Sequence, residues 1–558
     1  MKYFVYMLLL VLFFVSTIAT AQNNHQTMPD SYYIDDSENS EDIDHIVLAP
    51  LSESLIKNDN AKDGSMYVIG SLLPVELTPE NSGTWTSVTD DLQIWRLRLS
   101  SEKAKASALH FEYFKLQENS RLFVYNTDYS VVMGPFDSND NPEALEYSIG
   151  VLLGGDIIVE YIVPTKESLY KNPEQKPDFK ISSYAYIYRG EYLFFDMSKQ
   201  YGYGTSGDCQ VNINCLEGNN WRIQQRGITR IYVVDGVYVG YCTGSLINNT
   251  ANDLTPYVLT ANHCGEGTSD SDFRQWRFDF HYESVDCTEN VEPSKNSFVG
   301  CTKKASAPLQ GGSDFLLVQI NASPENLKSC NVVYNGWRID GEKSPSGVCI
   351  HHPSGDIKKI STYSISTTSA TYNGDERGAT NACWKVRWSS SPNGHGVTEG
   401  GSSGSPLFDN NAYIIGTLSG GSSYCDYTLG NDFYGKMSYH WTSNGTYERS
   451  QLKTWLDPIN SGATTCEYLD PNTGSSTCSQ SSNSKFSIFP NPNFGTFYVY
   501  SETATGLINI YDELGKTIKT IQIKSYKEQI DISRQKPGVY IVEILNEDKA
   551  FVKKIIVE

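Results

Sequence analysis

Cysteine placement limits how this chain can fold more than any other feature of its sequence. All twelve cysteines of the 558-residue chain lie in its middle: Cys209, Cys215, Cys242, Cys264, Cys287, Cys301, Cys330, Cys349, Cys383, Cys425, Cys466 and Cys478. An even number predicts disulfide bonds in an exported protein, although sequence alone does not give their pairing. No C-x-x-C pair occurs, which argues against a zinc site. The chain therefore has a cysteine-free front, a cysteine-bearing centre and a cysteine-free tail.

Residues 1–21 have the pattern of a secretory signal peptide. Lys2 supplies a positive charge, residues 4–15 (FVYMLLLVLFFV) form an apolar run, and residues 19–21 (ATA) provide a small-residue cleavage pattern. The run is short for a membrane span, and no second apolar stretch of that length follows. We therefore expect an exported, soluble protein that is secreted or held at the cell surface.

The acidic balance of the chain bears on its partners. Its formal net charge is -21 and its pI is near 4.9. Phosphate backbones and anionic membranes need a basic protein face, so we expect no nucleic-acid partner and no anionic membrane surface. We also expect a monomer.

The length predicts roughly three or four domains. After the signal peptide, residues 22–203 begin with an acidic run at 35–42 and continue with segments such as 92–99 (LQIWRLRL) and 120–125 (SRLFVY). Such period-two alternation predicts β-strands with one buried face. This segment has no catalytic cluster, so we interpret it as a β-rich binding or folding module.

Residues 204–468 combine short strands, turns rich in Gly, Ser and Asn, and cysteines, which is typical of an all-β sandwich or barrel. Within them, residues 228–239 (ITRIYVVDGVYV) turn back at an Asp-Gly pair, a strong hairpin signal. Residues 469–484 are rich in Ser, Asn, Gln and Thr and predict a flexible linker. Residues 485–558 contain about seven short strands and predict a compact β-sandwich.

Two motifs of the centre carry candidate catalytic side chains. The turn at 400–408 (GGSSGSPLF) contains Ser403, a candidate nucleophile, although Gly/Ser/Pro clusters between apolar segments are usually plain loops. Residues 257–265 (YVLTANHCG) place His263 at the end of an apolar strand. Histidine is the natural general base near neutral pH, because its ordinary pKa is about 6.5. A lone histidine, however, is more often a surface or core residue.

A third motif, residues 311–318 (GGSDFLLV), places Asp314 at the start of an apolar strand. Such a carboxylate can hold the second ring nitrogen of a histidine and stabilise the imidazolium, whereas its alternative role is a turn residue. The order His263, Asp314, Ser403 is one of the known orders of a catalytic triad. In an exported, disulfide-bearing all-β domain this combination predicts a serine hydrolase.

The central motifs resemble those of chymotrypsin-fold serine proteases, and specifically of bacterial lysyl endopeptidases. The resemblance covers residues 204–468 and rests on GTSGDC at 204–209, TANHC at 260–264, SDFLL at 313–317, GSSGSP at 401–406, DFYGK at 432–436 and WLDP at 455–458. It implies a chymotrypsin-like double β-barrel with Ser403 as nucleophile, His263 as general base and Asp314 as its orienter. The backbone N–H groups of Gly401 and Ser403 would hold the oxyanion.

Departures from the animal trypsins bear on activation and specificity. Ser402 stands where trypsins carry an aspartate, so activation should not use an ion pair with that position. Val397 stands where trypsins carry their pocket aspartate. In lysyl endopeptidases the pocket carboxylate matches Asp432, which implies selection of Lys, or of Lys and Arg, before the cleaved bond. Without the resemblance, Asp432 is better interpreted as a solvated turn residue. The family carries a histidine where this chain has Ser419, which leaves the strictness of lysine over arginine open.

The resemblance also implies three disulfides and leaves the other six cysteines unassigned. The implied pairs are Cys209 with Cys425, Cys215 with Cys287, and Cys242 with Cys264. We expect no cofactor and no metal, since the pair His351 and His352 lacks a third ligand at suitable spacing and is interpreted as an ordinary exposed pair. Trp384 and Trp388 are predicted to be core residues rather than part of the cleft.

Both ends of the chain have resemblances of their own. The front segment, residues 22–203, resembles a lysyl endopeptidase propeptide, and we expect self-cleavage after Lys199 with later trimming to 204. Three tail motifs resemble the C-terminal sorting domain of type IX secretion substrates, which outer-membrane machinery reads: FSIFPNPNFG at 486–495, GVYIV at 538–542 and KKIIV at 553–557. The alternative for the tail is a small binding sandwich.

The sequence thus predicts a secreted, zymogenic serine endopeptidase that cleaves protein or peptide substrates after lysine. Two alternatives remain open. One is a trypsin-like protease that accepts lysine and arginine, and the other is an inactive protease homologue that acts as a surface binding protein.

Overall fold

The computed structural model describes residues 28–33, 43–59, 66–141, 143, 145–164, 178–189, 204–288, 295–372, 378–474, 478–479, 486–489, 493–501, 505–525, 527–546 and 549–557. Outside these residues lie the predicted signal peptide, the acidic run at 35–42, Lys199, and half of the predicted linker, namely 475–477 and 480–484. Within the described residues β-strands are the main regular secondary structure and helices are a minor part, so the predicted all-β class is confirmed.

The front segment forms two sheets around one core. Its strands are β1 (Asp44–Leu48), β2 (Tyr67–Leu77), β3 (Thr84–Thr89), β4 (Leu92–Ser101), β5 (Ala106–Phe114), β6 (Arg121–Asn126), β7 (Val132–Phe136), β8 (Tyr147–Ser148), β9 (Leu152–Leu153), β10 (Asp156–Pro164) and β11 (Phe179–Ile187). One sheet runs β1-β4-β10-β6-β7, with β3 beside β4, and the other contains β2-β11-β5-β8. Trp95 and Leu97 of the first sheet pack against Phe111 and Tyr184 of the second.

Strand β6 is buried on both faces, which corrects the prediction of one buried face. Leu122 and Val124 point into the core between the two sheets. Phe123 and Tyr125, on the other face, pack with Ile94 in a second apolar cluster. Sequence alternation marks the faces of a strand, but it does not show that both faces are covered.

The centre begins with a closed barrel. Its strands are β12 (Ile228–Asp235), β13 (Tyr238–Leu246), β14 (Tyr257–Thr260), β15 (Arg277–Phe280), β16 (Asn296–Val299), β17 (Cys301–Ala307) and β18 (Phe315–Ile320). The pairing runs β15-β12-β13-β14-β18-β17, and β16, separated from β17 by Gly300, pairs back onto β15. The predicted hairpin is β12–β13, in which Asp235 lies opposite Tyr238.

A second barrel follows. The remaining central strands are β19 (Trp337–Arg338), β20 (Gly347–His351), β21 (Lys359–Tyr363), β22 (Thr368–Ala370), β23 (Cys383–Val386), β24 (Pro406–Asp409), β25 (Ile414–Gly421), β26 (Asp432–Lys436), β27 (Thr465–Cys466) and β28 (Cys478–Ser479). The pairing runs β21-β20-β24-β25-β26-β23. The chain beyond β23 returns to β21, because the Ser389 N–H donates to the Thr362 carbonyl at 2.8 Å. The double barrel implied by the resemblance is therefore present.

The front segment continues the sheet of the first barrel. Strand β2 pairs antiparallel with β13, with Tyr238 opposite Ser71 and Tyr241 opposite Tyr67. His110 of β5 contacts both the Gln275 side chain, at 3.0 Å, and the Tyr232 hydroxyl, at 3.1 Å. Such pairing between distant parts of the chain is not visible in local sequence patterns, which is why it was not predicted.

Among the described residues the helices are short. They are α1 (Glu53–Asp59), α2 (Asp270–Phe273), α3 (Pro324–Ser329), α4 (Met437–Thr442) and α5 (Lys453–Leu456), with 3₁₀ turns at Asp30–Tyr33, Leu216–Trp221, Gln224–Gly227, Asn262–Cys264, Pro353–Gly355 and Glu448–Ser450. Over the ranges that the structure describes, every helix is too short or too polar to cross a membrane.

The strands of the tail form two sheets that pack as a sandwich. Its strands are β29 (Phe486–Phe489), β30 (Thr496–Ser501), β31 (Leu507–Tyr511), β32 (Thr517–Gln522), β33 (Lys527–Asp531), β34 (Gly538–Asn546) and β35 (Lys549–Val557). One sheet runs β29-β30-β33 and the other β32-β31-β34-β35. Phe497 of the first sheet and Ile508, Val542 and Ile555 of the second share its apolar core.

Candidate active site

His263 and Asp314 form a buried pair between β14 and β18. His263 lies in the 3₁₀ turn after β14, and Asp314 immediately precedes β18. The His263 Nδ1 lies 2.7 Å from Asp314 Oδ2, and the His263 backbone N–H donates to Asp314 Oδ1 at 3.0 Å. Because a carboxylate only accepts, Nδ1 carries the proton and Nε2 is left as the acceptor.

The two groups shift each other's pKa values. Burial opposes the imidazolium charge of His263, but the Asp314 carboxylate outweighs burial and raises the pKa of His263 above its ordinary value. Burial alone would raise the pKa of Asp314, yet the neighbouring His263 lowers it. Asp314 is fully buried and stays ionised. The pair is therefore arranged to take up a proton on Nε2.

Ser403 lies in the turn that precedes β24, between two glycines in the left-handed region. Gly401 has φ +90° and Gly404 has φ +78°, conformations that favour glycine. A side chain at Gly404 would meet Thr260 and the Ala261 N–H within 2.0 and 2.6 Å. Since these residues directly precede the His263 turn, the glycine lets the Ser403 turn approach the histidine.

Thr243 of β13 joins the nucleophile turn to the first barrel. Its N–H donates to the Ser403 carbonyl at 2.8 Å, and its hydroxyl donates to the Gly401 carbonyl at 2.8 Å. The same hydroxyl accepts the His352 N–H at 3.0 Å. The Thr243 carbonyl accepts a hydrogen bond from the Thr260 hydroxyl at 2.8 Å. Thr243 thus connects the strands that carry the His263 turn and the Ser403 turn.

Replacing Thr243 by Val should loosen this turn without unfolding the barrel. The Gly401 carbonyl and the His352 N–H would each lose a buried partner, which costs about 1–3 kcal/mol of unfolding free energy. We expect kcat to fall about tenfold, because the turn that holds Ser403 is less well placed. Thr229→Val is the matched control, since the buried Thr229 hydroxyl donates to the Arg230 carbonyl. Equal kcat in both variants, measured beside their melting temperatures, would contradict the role of Thr243.

The N–H groups of Gly401 and Ser403 are open to a ligand. Among the residues that the structure describes, no backbone or side-chain acceptor bonds to either N–H. The turn itself is closed by other groups: the Ser402 N–H donates to the Glu399 carbonyl at 3.0 Å, and the Ser405 N–H donates to the Ser402 carbonyl at 2.9 Å. Two unpaired N–H groups beside a candidate nucleophile can hold a developing oxyanion.

Asp432 is a fully buried carboxylate at the start of β26, which contradicts its interpretation as a solvated turn residue. Its Oδ2 accepts from Trp388 Nε1 at 2.6 Å, from the Thr398 hydroxyl at 2.7 Å and from the Ser423 hydroxyl at 2.5 Å. Burial nonetheless raises the pKa of Asp432. Within the described ranges, no Lys or Arg forms an ion pair with it, so the carboxylate suits a cation from outside.

Trp388, Thr398 and Ser423 are functional candidates that sequence reasoning missed. Trp388 is buried, as predicted, but its indole N–H binds Asp432 rather than only filling the core. One sequence signal could have revealed Thr398: it directly follows Val397, which stands where trypsins carry their pocket aspartate. Ser419 lies close enough to Asp314 to help lower the pKa of that carboxyl.

His351 and His352 are fully buried, which corrects the prediction of an exposed pair. The Ser402 hydroxyl lies 2.7 Å from His351 Nδ1, and His351 Nε2 lies 3.0 Å from the Ser361 hydroxyl. Burial lowers the pKa of His351 to about 3 and keeps it neutral. The histidine therefore braces the turn that contains Ser403, and the Ser402 hydroxyl is taken up by this contact.

The structure contains the three disulfides that the resemblance implied: Cys209–Cys425, Cys215–Cys287 and Cys242–Cys264. The last of them ties β13 to the His263 turn. Cys466 is also disulfide-bonded and lies opposite Cys478 in the strand register. Four described cysteines carry free thiols, so not all twelve pair: Cys301, Cys330, Cys349 and Cys383.

Comparisons with known proteins agree with both resemblances. Residues 203–435 match the family described as "Lysyl endopeptidase, C-terminal domain". The resemblance of the central motifs to lysyl endopeptidases is confirmed. Residues 487–558 match the family described as "Secretion system C-terminal sorting domain". This second match confirms the predicted secreted or cell-surface location.

Individual proteins that resemble this chain have low sequence identity to it. The lysyl endopeptidase of Pseudomonas aeruginosa strain PAO1 is 27% identical over 323 residues, which cover 55% of this chain and 63% of that protein. Among solved structures, the protease Anisep from Arthrobacter nicotinovorans has a TM-score of 0.30 and 18% identity, covering 41% of this chain and 95% of its own. The thermostable serine protease AL20 from an extremophilic microorganism has a TM-score of 0.28 and 14% identity, covering 38% and 91%.

Proposed function

We propose that the protein is a secreted serine endopeptidase with Ser403, His263 and Asp314 as its triad. The observation that carries this proposal is the His263–Asp314 pair, with Nδ1 to Oδ2 at 2.7 Å, next to a glycine turn that holds Ser403. The pair leaves Nε2 free to accept the Ser403 proton. The match to the lysyl endopeptidase family supports the same chemistry.

The reaction proceeds by acyl transfer. The Ser403 oxygen attacks the substrate carbonyl while His263 Nε2 takes its proton, and the Asp314 carboxylate stabilises the imidazolium. The N–H groups of Gly401 and Ser403 bind the oxyanion of the tetrahedral intermediate, each contributing about 3–4 kcal/mol. His263 then gives the proton to the leaving amine, and water repeats the sequence on the acyl-enzyme.

The substrate is a protein or peptide with lysine before the cleaved bond. Asp432 supports this specificity because it is a buried carboxylate without a cationic partner among the described residues. A lysine ammonium would supply the missing charge. The pocket has Ser419 in place of the family's histidine, and acceptance of arginine beside lysine is the second candidate specificity.

The flanking segments fit a secreted zymogen. We assign residues 1–21 to a signal peptide, 22–203 to a propeptide, 204–468 to the protease, 469–484 to a linker and 485–558 to the sorting domain that the outer-membrane machinery reads. Beside the nucleophile turn, the Tyr67 ring of the front segment lies against Gly400, where a side chain would meet it within 2.5 Å. A propeptide that covers this turn would restrain the enzyme before cleavage.

Labelling with a lysine-type phosphonate tests the proposed function. A phosphonate that reacts with activated serines should attach to Ser403 of the mature protein. Ser403→Ala should abolish the label, whereas Ser405→Ala should keep it. An inactive homologue acting as a binding protein would take up no label in either protein. That outcome would remove the proposal.

The pH dependence of kcat/KM should reflect the ionisation of His263 beside Asp314. Only neutral His263 accepts the Ser403 proton, so kcat/KM should rise as pH increases through the raised pKa of His263. Asp314→Asn removes the carboxylate that raises this pKa, so the acidic limb should move to lower pH and kcat should fall about 10⁴-fold. Asparagine tolerates the φ of +60° at this position. An unmoved acidic limb would contradict the assignment of Asp314.

A further inference from the structure

Asp356 is a buried carboxylate that the proposed mechanism does not use. It follows the 3₁₀ turn at Pro353–Gly355 and is fully buried. Its Oδ1 accepts the Gly204 N–H at 2.7 Å, and its Oδ2 accepts the Ser206 N–H at 3.2 Å and the Ser206 hydroxyl at 2.5 Å. The carboxylate is thus aimed at the first residues of the proposed mature enzyme.

The same turn holds the nucleophile loop. The Ser354 N–H donates to the Gly400 carbonyl at 2.6 Å, and the Ser354 hydroxyl donates to Glu399 Oε2 at 3.0 Å. A side chain at Gly401 would meet the Gly355 N–H and the His352 carbonyl, both within 2.9 Å. Any group that holds Asp356 in place therefore also holds the adjacent turn, against which Gly401 packs.

We propose that Asp356 is the acceptor for the α-ammonium group that cleavage before Gly204 creates, and that this ion pair positions the Gly401–Ser403 turn. Hydrolysis of the Tyr203–Gly204 bond consumes one water and releases the Tyr203 carboxylate and the Gly204 amine, which is protonated at neutral pH. The amide donor of the precursor becomes a charged donor in the same place. Charge-assisted hydrogen bonds are shorter and roughly twice as strong as neutral ones.

This switch uses a different carboxylate from that of trypsins. Ser402, at the trypsin position, is already bonded to His351 and has no charge to offer. The N-terminal segment instead reaches Asp356 through Gly204 and reaches Glu399 through the Gly207 N–H, at 3.0 Å. Both contacts lie beside the oxyanion N–H of Gly401. The activating role rests on the proposed function, whereas the ion pair itself does not.

Other charged groups surround Asp356. Lys359 Nζ lies 3.5 Å from its Oδ2 and also donates to Asn212, and His352 Nδ1 lies 2.8 Å from its backbone carbonyl. Arg230 donates to the Gly355 carbonyl and stacks on Tyr241, while Lys358 is paired with Glu283. His352 stays neutral, since burial lowers its pKa. Tyr67 and Glu399 complete the set on the side of the nucleophile loop.

The ion pair can be measured without any catalytic activity. In full-length Ser403→Ala protein, residues 199–203 are replaced by an enteropeptidase site, so that cutting exposes Gly204 as the amino terminus. Mass spectrometry then follows reductive methylation of that α-amine. We expect slow methylation in this protein and fast methylation after Asp356→Asn, with Asp208→Asn as the control on an exposed neighbour. Equally fast methylation in all three would overturn the proposal.

A second set of proteins, with Ser403 intact, tests whether the ion pair increases activity. The chain with Ser403 intact is cut either before Gly204 or before one added glycine, which displaces the amine while keeping every side chain. We expect kcat to be about tenfold or more higher for the Gly204 terminus, given the cost of a misplaced oxyanion donor. Its activity should fall as pH rises through an α-amine pKa raised above its usual value of about 8, and the displaced terminus should lack this limb.

The two series separate the hypotheses. Protection of the amine without hydrolysis by any cut protein would remove the proposed function and leave the ion pair. Normal hydrolysis with equal kcat and equal alkaline limbs for both termini would remove the activating role of Asp356. If Asp356→Asn does not fold, the displaced terminus alone decides, because it changes no buried side chain.

Discussion

Replacing Ser403 by Ala should abolish peptide hydrolysis, with kcat falling about 10⁵- to 10⁶-fold, because the change removes the oxygen that attacks the substrate carbonyl. The precursor should then stay uncut after Lys199, since we expect that cleavage to be its own. The measurement is the mass of the secreted protein, beside its rate on a lysine amide substrate.

Ser405→Ala is the matched control for this change. Ser405 lies two residues further along the same turn and is fully buried, with its N–H donating to the Ser402 carbonyl. It should mature normally and retain most activity. Normal maturation of the Ser403→Ala protein would contradict the hypothesis of self-processing. Retained hydrolysis would contradict the assignment of Ser403 as the nucleophile.

Asp432→Asn should remove the preference for lysine. Loss of one partner of a buried charge pair costs about 2–5 kcal/mol, or about 30- to 5,000-fold in kcat/KM for a lysine substrate. Asparagine keeps an oxygen that can accept from Trp388 and Thr398, so the pocket should keep its shape. Hydrolysis of a small activated ester, which needs the triad but not the pocket, should change little.

Asp426→Asn is the control for charge in the neighbouring loop, because Asp426 is exposed. It should leave kcat/KM for lysine substrates within about twofold, as expected of a screened surface charge. An unaltered lysine preference in Asp432→Asn would show that another group binds the substrate ammonium.

Local motifs pointed to the candidate catalytic side chains more fully than to the residues that surround them. His263 and Asp314 each end or begin an apolar strand, and that local pattern was enough to suggest their pairing. Asp432 needed the family resemblance, because its donors Trp388, Thr398 and Ser423 come from three separate segments. Their convergence depends on the closure of the second barrel.

Polarity misled the sequence interpretation at His351 and His352. Two adjacent histidines suggest a surface, but the hydroxyls of Ser402 and Ser361 supply the polar partners that let His351 be buried. The pairing of β2 with β13 was equally invisible, since strands separated by more than 150 residues carry no mark of their partner. The Gly204–Asp356 contact belongs to the same class of long-range features.

Digestion of a protein mixture by the mature enzyme, with mapping of every cleaved bond, is the direct test of the proposed activity and specificity. We expect the cuts to follow lysine, with arginine as the only other residue accepted at that position, and to disappear with Ser403→Ala. Cuts spread over apolar residues would contradict the role of Asp432, and the absence of cuts by a fully matured protein would contradict the proposed function.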